Sequence, residues 1–411
     1  MEQLKVNSFL VIEEALFDVG RVNIIIGPQA NGKSLLAKLI YFFREVVNDT
    51  FIISVKNNEN KKELLKSIEI LFEKYFPKYT WKDTFFTLTY KTTEYEINIS
   101  KTKDQRVLTI NLCSLLLQLH RSLKNDYRKF QKTIKTKDHY VDNFWEFQRE
   151  FIFNNITFSA NTNHSLFIPA SRSFFANLQK NIFSLLSKSI DIDPFMKEFG
   201  SQYEFIKSVH SNSRLFGEKF KKNELYIKIQ KIVEIILNGT YHFKDDQDWI
   251  KSKNGLLNLA NASSGQQESL PMLLLLSIYP FLNKDNITFF IEEPEAHLFP
   301  VSQKHIVSLI ALLYNKNNRV IITTHSPYIL TAINNLLLAY DIKTKRGDDS
   351  IKNIVDIDTC INFDDVKAYT IKDGILTSIM DYDNRLIGIN IIDSVSDEFN
   401  AVFDDLLSLE G

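Results

Sequence analysis

The chain predicts an α/β fold: a mixed sheet core with an antiparallel β lobe and a largely helical insertion. Three observations carry that expectation. Strand-type and helix-type hydrophobic periods alternate near both ends, as they do where helices cover a sheet. Three β-rich runs, Thr84–Lys91, Glu94–Lys101 and Arg106–Asn111, follow one another in the pattern of an antiparallel meander. At Leu112 the period lengthens from two to about 3.6 residues, and it stays helical over most of the stretch to Leu237.

The elements follow in order. Two β-rich runs, Val6–Ile12 and Val22–Ile26, open the chain, and a helical pattern covers Leu35 to Val47. A polar loop at 57–62 leads to a helix that ends near Tyr75. Beyond the meander, Leu112, Leu116, Leu119, Leu123, Tyr127, Phe130 and Ile134 share one helical face, with Arg121, Lys124, Arg128, Lys132 and Lys135 opposite. A strand-like run at Ser165–Pro169 interrupts the helices, and short strands are expected at Thr240–Lys244 and Leu256–Leu259. Then come a Ser/Gly turn, an apolar helix (Gln266–Leu282), a buried strand (Ile287–Ile291), a helix from Pro300 and a strand (Arg319–Thr323). Asp373-Gly374 forms the two-residue turn of a hairpin. The stretch Asp393–Glu410 combines six acids with an apolar side of Phe399, Val402, Phe403, Leu406 and Leu407, the pattern of an amphipathic helix. The expected division is an N-terminal part at 1–111, a mainly helical insertion at 112–238, a C-terminal part at 239–345, and the hairpin and helix at 346–411.

Composition excludes several classes. Of 411 residues, 44% are hydrophobic and 24% charged, the balance of a globular chain, and 12 Gly with 9 Pro leave little room for long flexible linkers. Basic residues (49) nearly cancel acidic ones (50), so bulk charge does not announce a nucleic-acid binder. Cys113 and Cys360 are too few for a disulfide framework or a cysteine metal site. The opening residues lack a signal-peptide pattern, and the most apolar stretch, Leu270–Leu282, is short and holds two prolines. A cytoplasmic protein with no membrane segment is expected.

The motifs give the chemistry. Gly27-Pro28-Gln29-Ala30-Asn31-Gly32-Lys33-Ser34, with Leu35 beyond it, fits the GxxxxGK[ST] phosphate loop between a buried strand and a helix. Glycines let backbone N–H groups close around phosphates at a helix N-terminus. Lys33 would reach the β- and γ-phosphates, and the Ser34 hydroxyl would ligate Mg²⁺. Further on, Ile287–Ile291 ends in Glu292-Glu293-Pro294-Glu295. Carboxylates at the C-terminal end of a strand stand where open α/β sheets bind ligands. Glu292 suits the Mg²⁺ shell, and Glu293 suits the orientation of an attacking water. Ser263, Ser264, Gly265 and Gln266 start the apolar helix, either as an anion seat or as an ordinary Ser cap. His325 ends the Arg319–Thr323 run and would face the γ-phosphate or its water, although a single His is more often packed or solvated.

In this order and spacing the motifs resemble those of the ABC ATPases. Ala262–Gln266 corresponds to the signature and His325 to the switch histidine. Glu292–Pro300 (Glu-Glu-Pro-Glu-Ala-His-Leu-Phe-Pro) narrows the resemblance to the SMC-like branch with the OLD and RecF groups. Residues 167–172 and 262–268 resemble the stand-alone ATPase subunits of bacterial antiphage systems such as Septu and PARIS. This resemblance implies an ABC-type P-loop NTPase that uses ATP and Mg²⁺. It also implies a composite site in which Ser263 and Gly265 act in trans across a homodimer or larger homo-oligomer. Glu292 stands where Asp is usual, and Phe299 where many relatives carry a second His. Arg172, in the loop after Pro169, either belongs to the coupling loop or satisfies a buried carbonyl or carboxylate.

Two functions follow from the resemblance. One is an ATPase sensor or scaffold controlling a separate effector, expected to be a nuclease, in antiphage defence. The other is a RecF-like ATPase of DNA maintenance. After His325 the chain shows no Toprim-like acidic pattern, and Asp381-Tyr-Asp383 reads as a loop, so nuclease chemistry is expected on another chain. Residues 121–137 carry seven basic groups (Arg121, Lys124, Arg128, Lys129, Lys132, Lys135 and Lys137) against Asp126 alone. They form a candidate nucleic-acid face or, more commonly, a solvated one.

Overall fold

The computed structural model describes residues 2–103, 107–134, 144–152, 164–178, 192–211, 220, 222–282 and 286–388. The segment Asp393–Glu410, Lys135 and Lys137 lie outside them.

Among the described residues, one sheet of 11 strands organises the fold. Its antiparallel half holds β1 (Glu2–Phe9), β2 (Ile12–Val19), β4 (Phe86–Lys91), β5 (Glu96–Lys101) and β6 (Thr109–Leu112). Its parallel half holds β3 (Val22–Ile26), β7 (His164–Ile168), β11 (Ile287–Glu292), β12 (Arg319–Thr324) and β13 (Val366–Lys372). The spatial order is β6-β5-β4-β1-β2-β14-β13-β3-β12-β11-β7, where β14 (Ile375–Ser378) pairs antiparallel with β13 and joins the halves. Strands β8 (Thr240–Lys244), β9 (Gln247–Ser252) and β10 (Gly255–Asn258) form a separate antiparallel sheet.

Among the described residues, the α-helices of six residues or more, in chain order, are α1 (Lys33–Glu45), α2 (Phe51–Lys56), α3 (Lys61–Tyr75), α4 (Ser114–Ile134), α5 (Ser173–Leu178), α6 (Pro194–Ser211), α7 (Glu224–Leu237), α8 (Ser264–Leu282), α9 (Pro300–Asn315) and α10 (Pro327–Arg346). They cover both faces of the parallel half. Successive side chains on a strand point to opposite faces. Ile25, Phe167, Phe290 and Ile321 accordingly join the core around α1, where Tyr41 packs edge-on against Phe167 and Phe290. Their neighbours Leu166, Phe289, Ile291, Val320 and Ile322 join the core that contains α7, α8 and α9. Such double coverage explains why these strands read as unbroken apolar runs.

Two expectations need correction. Val6–Ile12 is not one strand: the chain turns back at Leu10-Val11, pairing Phe9 with Ile12, and Ser8 and Leu10 both take φ 55°. That turn is made of apolar residues, without the Gly, Asn or Asp that marks most tight turns. Strand β9 also went unread, because its polar sequence hides a buried Asp248 that accepts the hydroxyls of Tyr203 (2.8 Å) and Tyr241 (2.7 Å).

The 373–374 turn lies inside the main assembly. Its Gly374 carbonyl accepts the amides of Glu13 (2.9 Å) and Glu14 (3.2 Å). Helix α4 places Leu116, Leu123 and Tyr127 in the core, with Arg121, Arg128, Lys129 and Lys132 exposed. Asp381 accepts the amides of Asp383 and Asn384, so 381–384 is a loop held by its own aspartate. No described helix is long and apolar enough to cross a membrane.

Candidate functional site

Three parallel strands end side by side, and each delivers one part of the site. Strand β3 runs into the phosphate loop, β11 into Glu292 and Glu293, and β12 into His325. Gly32 caps α1 at φ 96°, a conformation that disfavours L side chains, and a Cβ there would lie 2.9 Å from Ile12 Cγ1. A Cβ on Gly27 would meet the Ile371 carbonyl at 2.5 Å. Asn31 donates to the Gln29 carbonyl at 3.0 Å and accepts the Asp373 amide at 3.1 Å. The loop is therefore buttressed by the β1–β2 turn on one side and the β13–β14 hairpin on the other. Pro28, Ala30 (φ 62°), Ser34 and Leu35 complete it.

Lys33 Nζ donates to the carbonyls of Gly27 (2.7 Å) and Pro28 (2.6 Å) and lies 3.3 Å from His325 Nδ1. Burial lowers the ammonium's pKa, and the charges of Glu293 and Glu295 offset only part of that. His325 Nε2 sits 3.0 Å from Glu293 Oε1. With Lys33 donating to Nδ1, the matching tautomer carries its proton on Nε2 and donates it to Glu293. Lysine, imidazole and carboxylate form one continuous chain.

The two consecutive glutamates differ sharply. Glu292 is 5% exposed; its Oε2 accepts the Ala170 amide at 3.1 Å, while its buried Oε1 has no protein partner. An orphaned buried carboxylate oxygen at a strand end fits an Mg²⁺ ion, which needs few protein ligands beside water and phosphate. Ser34, at the start of α1, is the second group able to hold it. Glu293 adopts φ 42°, and its amide donates to the Thr323 carbonyl at 2.8 Å.

Arg172 is completely buried. Its guanidinium donates to the carbonyls of Pro169 (2.8 Å), Glu292 (2.7 Å), Glu293 (3.0 Å) and Glu268 (3.1 Å). Glu268, on α8, accepts the amides of Arg172 (2.9 Å) and Ser173 (2.8 Å) in return. Arg172 thus takes the second role the sequence left open, the satisfaction of buried carbonyls and a carboxylate. In doing so it joins α8 to the backbone of Glu293.

Ser263 and Ser264 are exposed at the start of α8. Ser263 and Gln266 form a capping pair, with the Gln266 amide 3.4 Å from Ser263 Oγ and the Ser263 amide 3.2 Å from Gln266 Oε1. Gln266 also donates to the Leu237 carbonyl at 2.7 Å. Gly265 packs so closely on the loop after β11 that a Cβ would lie 2.8 Å from the His297 carbonyl. Phe299 is 75% exposed at the N-cap of α9.

Two residues escaped the sequence reading. Glu295 accepts Thr324 Oγ1 (2.6 Å) and the His325 amide (2.8 Å), which fixes the turn that carries the histidine. Glu268 anchors Arg172. Glu295 was visible as the third acid of Glu-Glu-Pro-Glu, whereas no local pattern marks Glu268.

Residues 1–330 match the family described as AAA ATPase domain. Among solved structures, the chain is similar to the SMC head domain from Thermotoga maritima. That likeness has 11% identity and TM-score 0.37, over 92% of this chain and 97% of the other. It is also similar to a Pyrococcus furiosus Smc head domain bound to the C-terminal domain of ScpA, with 12% identity and TM-score 0.40 over 97% and 100%. The recombination mediator RecF shows 12% identity and TM-score 0.33 over 92% and 97%. No curated protein matches the chain. With a phosphate loop, an acidic strand end and a family match over residues 1–330, the chain belongs to the AAA ATPase domain family, whose activity is ATP hydrolysis.

Proposed function

We propose that the chain is an ABC-type ATPase that works as a homodimer or larger homo-oligomer and controls a separate effector in antiphage defence. The observation that carries the catalytic part is the Lys33–His325–Glu293 chain at the ends of β3, β12 and β11. Glu293 takes the proton of the attacking water, and His325 holds that carboxylate in place. Lys33 exchanges its two loop carbonyls for the β- and γ-phosphates. Ser34 and Glu292 would hold Mg²⁺, which would neutralise phosphate charge when bound.

Ser263, Ser264, Gly265 and Gln266 close over the nucleotide of a second copy. Support comes from the exposure of both serines and from the Arg172–Glu268 clamp, which ties their helix to the backbone of Glu293. In this reading Arg172 serves as the structural tie of that clamp, through the carbonyls it satisfies. The effector role is supported by the likeness of residues 167–172 and 262–268 to antiphage ATPase subunits. The exposed bases Arg121, Arg128, Lys129 and Lys132 favour a second reading, a DNA-maintenance ATPase of the RecF kind.

Steady-state hydrolysis over a wide range of protein concentration tests the composite site. Specific activity should rise with concentration. Mixing Lys33→Ala chains with Ser263→Arg chains, each inactive alone, should restore part of it. Concentration-independent activity, or no recovery on mixing, contradicts a site made in trans. DNA-stimulated turnover that disappears on Arg128→Glu/Lys132→Glu would establish the second reading.

A further inference from the structure

Among the described residues, four buried side-chain oxygens have no hydrogen-bond partner, and three of them stand at or just beyond the ends of β11 and β12. They are Glu292 Oε1, Glu295 Oε2 and Thr323 Oγ1. Buried polar atoms are normally paired, so a concentration of unpaired ones marks a place built for a polar ligand.

Two of the three share one side of the sheet. Glu292 and Thr323 are register partners across the parallel β11–β12 pair. Each lies two residues beyond a side chain of the core around α1, Phe290 on β11 and Ile321 on β12, so both point to that side. Thr323 is also the register partner of Ile25 on β3, the strand that runs into the phosphate loop. Its hydroxyl is thus set between the loop strand and the acidic strand, on the side covered by α1, whose first turn carries Ser34. Thr323 is 1% exposed, and its carbonyl accepts the Glu293 amide at 2.8 Å, so it is fixed there.

Packing alone does not explain a threonine at this place. Valine has nearly the same shape and would fill it without burying an unpaired hydroxyl. The Ala170 amide already takes Glu292 Oε2, which leaves Glu292 Oε1 and Thr323 Oγ1 as two unused acceptors on neighbouring strands. A water whose lone pair goes to a divalent cation has only its two protons to offer, and Mg²⁺ keeps several such waters in protein sites. We propose that Thr323 is a positioning residue for the cation: its Oγ1, beside Glu292 Oε1, accepts a hydrogen bond from a water of the cation's shell. The inference rests on the reading of Ser34 and Glu292 as the Mg²⁺ site, and adds to it a group from β12.

Binding of a fluorescent, non-hydrolysable ATP analogue to the full chain tests this, measured once in EDTA and once in Mg²⁺. The ratio of the two affinities isolates the cation's contribution. That ratio should fall about tenfold in Thr323→Val and recover in Thr323→Ser, which keeps the hydroxyl. Thermal unfolding in EDTA should find Thr323→Val at least as stable as the unsubstituted chain, because it no longer buries an unpaired group. A ratio unchanged in Thr323→Val but lowered in Glu292→Gln would overturn the proposal and leave the cation site standing. A ratio unchanged in both would overturn the site as well. A fall that Thr323→Ser does not reverse, or a Thr323→Val chain destabilised in EDTA, would make the hydroxyl's role one of packing and overturn the proposal equally.

Discussion

Strands β3, β11 and β12 are buried along almost their whole length, whereas β1, β2 and β4 alternate buried residues with half-buried or exposed ones. The difference follows from what covers each half: helices on both faces of the parallel strands, and a core on one face of the antiparallel ones. It also separates two duties. Parallel strands run out in the same direction, so their ends gather Lys33, Glu293 and His325 in one place. The antiparallel half contributes no group to that chain; its share is mechanical, the Leu10-Val11 turn that packs against Gly32.

Perturbing the two regions should therefore give different signatures, and the largest effect on folding is expected at their seam. There Glu2 of β1 meets Arg44 of α1 (2.8 Å to Nε), Tyr90 of β4 (2.7 Å) and Arg319 of β12 (3.3 Å). Arg44→Leu would strand a buried carboxylate and should cost about 3–5 kcal/mol in urea unfolding. Burial alone would raise the Glu2 pKa, but the Arg44 charge and hydrogen bonds outweigh it and hold it below the ordinary value. The seam's stabilisation is thus complete above the ordinary glutamate pKa and is lost as pH falls through the depressed one. Arg44→Leu should flatten that acid limb.

Within the antiparallel half, Leu88→Ala removes a fully buried side chain of β4 and should cost about 2–5 kcal/mol. Turnover per folded molecule should stay unchanged. A drop in that turnover would show that the antiparallel half does more than support the loop.

The parallel half should behave in the opposite way. Glu295→Gln weakens the two hydrogen bonds that fix the His325 turn, each to a charged acceptor and worth about 1.5–3 kcal/mol. The expected result is a kcat about ten- to a hundredfold lower, with KM little changed. An unaltered kcat would remove Glu295 from the account.

The smallest effect is a pH slope. Burial first, then repulsion from Glu198 and Asp49, pushes the Glu45 carboxyl up to about 8. The folded chain then keeps a proton that the unfolded chain has lost, so this group costs stability progressively as pH rises from the ordinary glutamate pKa to about 8. Glu45→Gln should flatten thermal stability across that window.

The same contrast explains what could be read from sequence. Ile287–Ile291 and Arg319–Thr323 were legible because strands buried on both faces are continuous apolar runs, and the phosphate loop because Gly27, Gly32, Lys33 and Ser34 keep a fixed spacing within one short segment. The β1–β2 hairpin was not, since Leu10-Val11 turns without any turn-forming residue. Asp248 and β9 were hidden because a buried carboxylate satisfied by two tyrosines looks, in one dimension, like a solvated one. For Arg172 the sequence leaves two roles open, because its partners Glu268, Glu292 and Glu293 lie about a hundred residues away in sequence, and only the fold brings their carbonyls together.

Glu293→Gln is the most direct test of the central claim, with steady-state ATP turnover, ATP binding and oligomeric state measured on the same preparation. The account predicts turnover lower by about 10²–10⁴, ATP binding retained, and a closed dimer that accumulates with ATP. Turnover equal to that of the unsubstituted chain would contradict it and take the attacking water away from the end of β11.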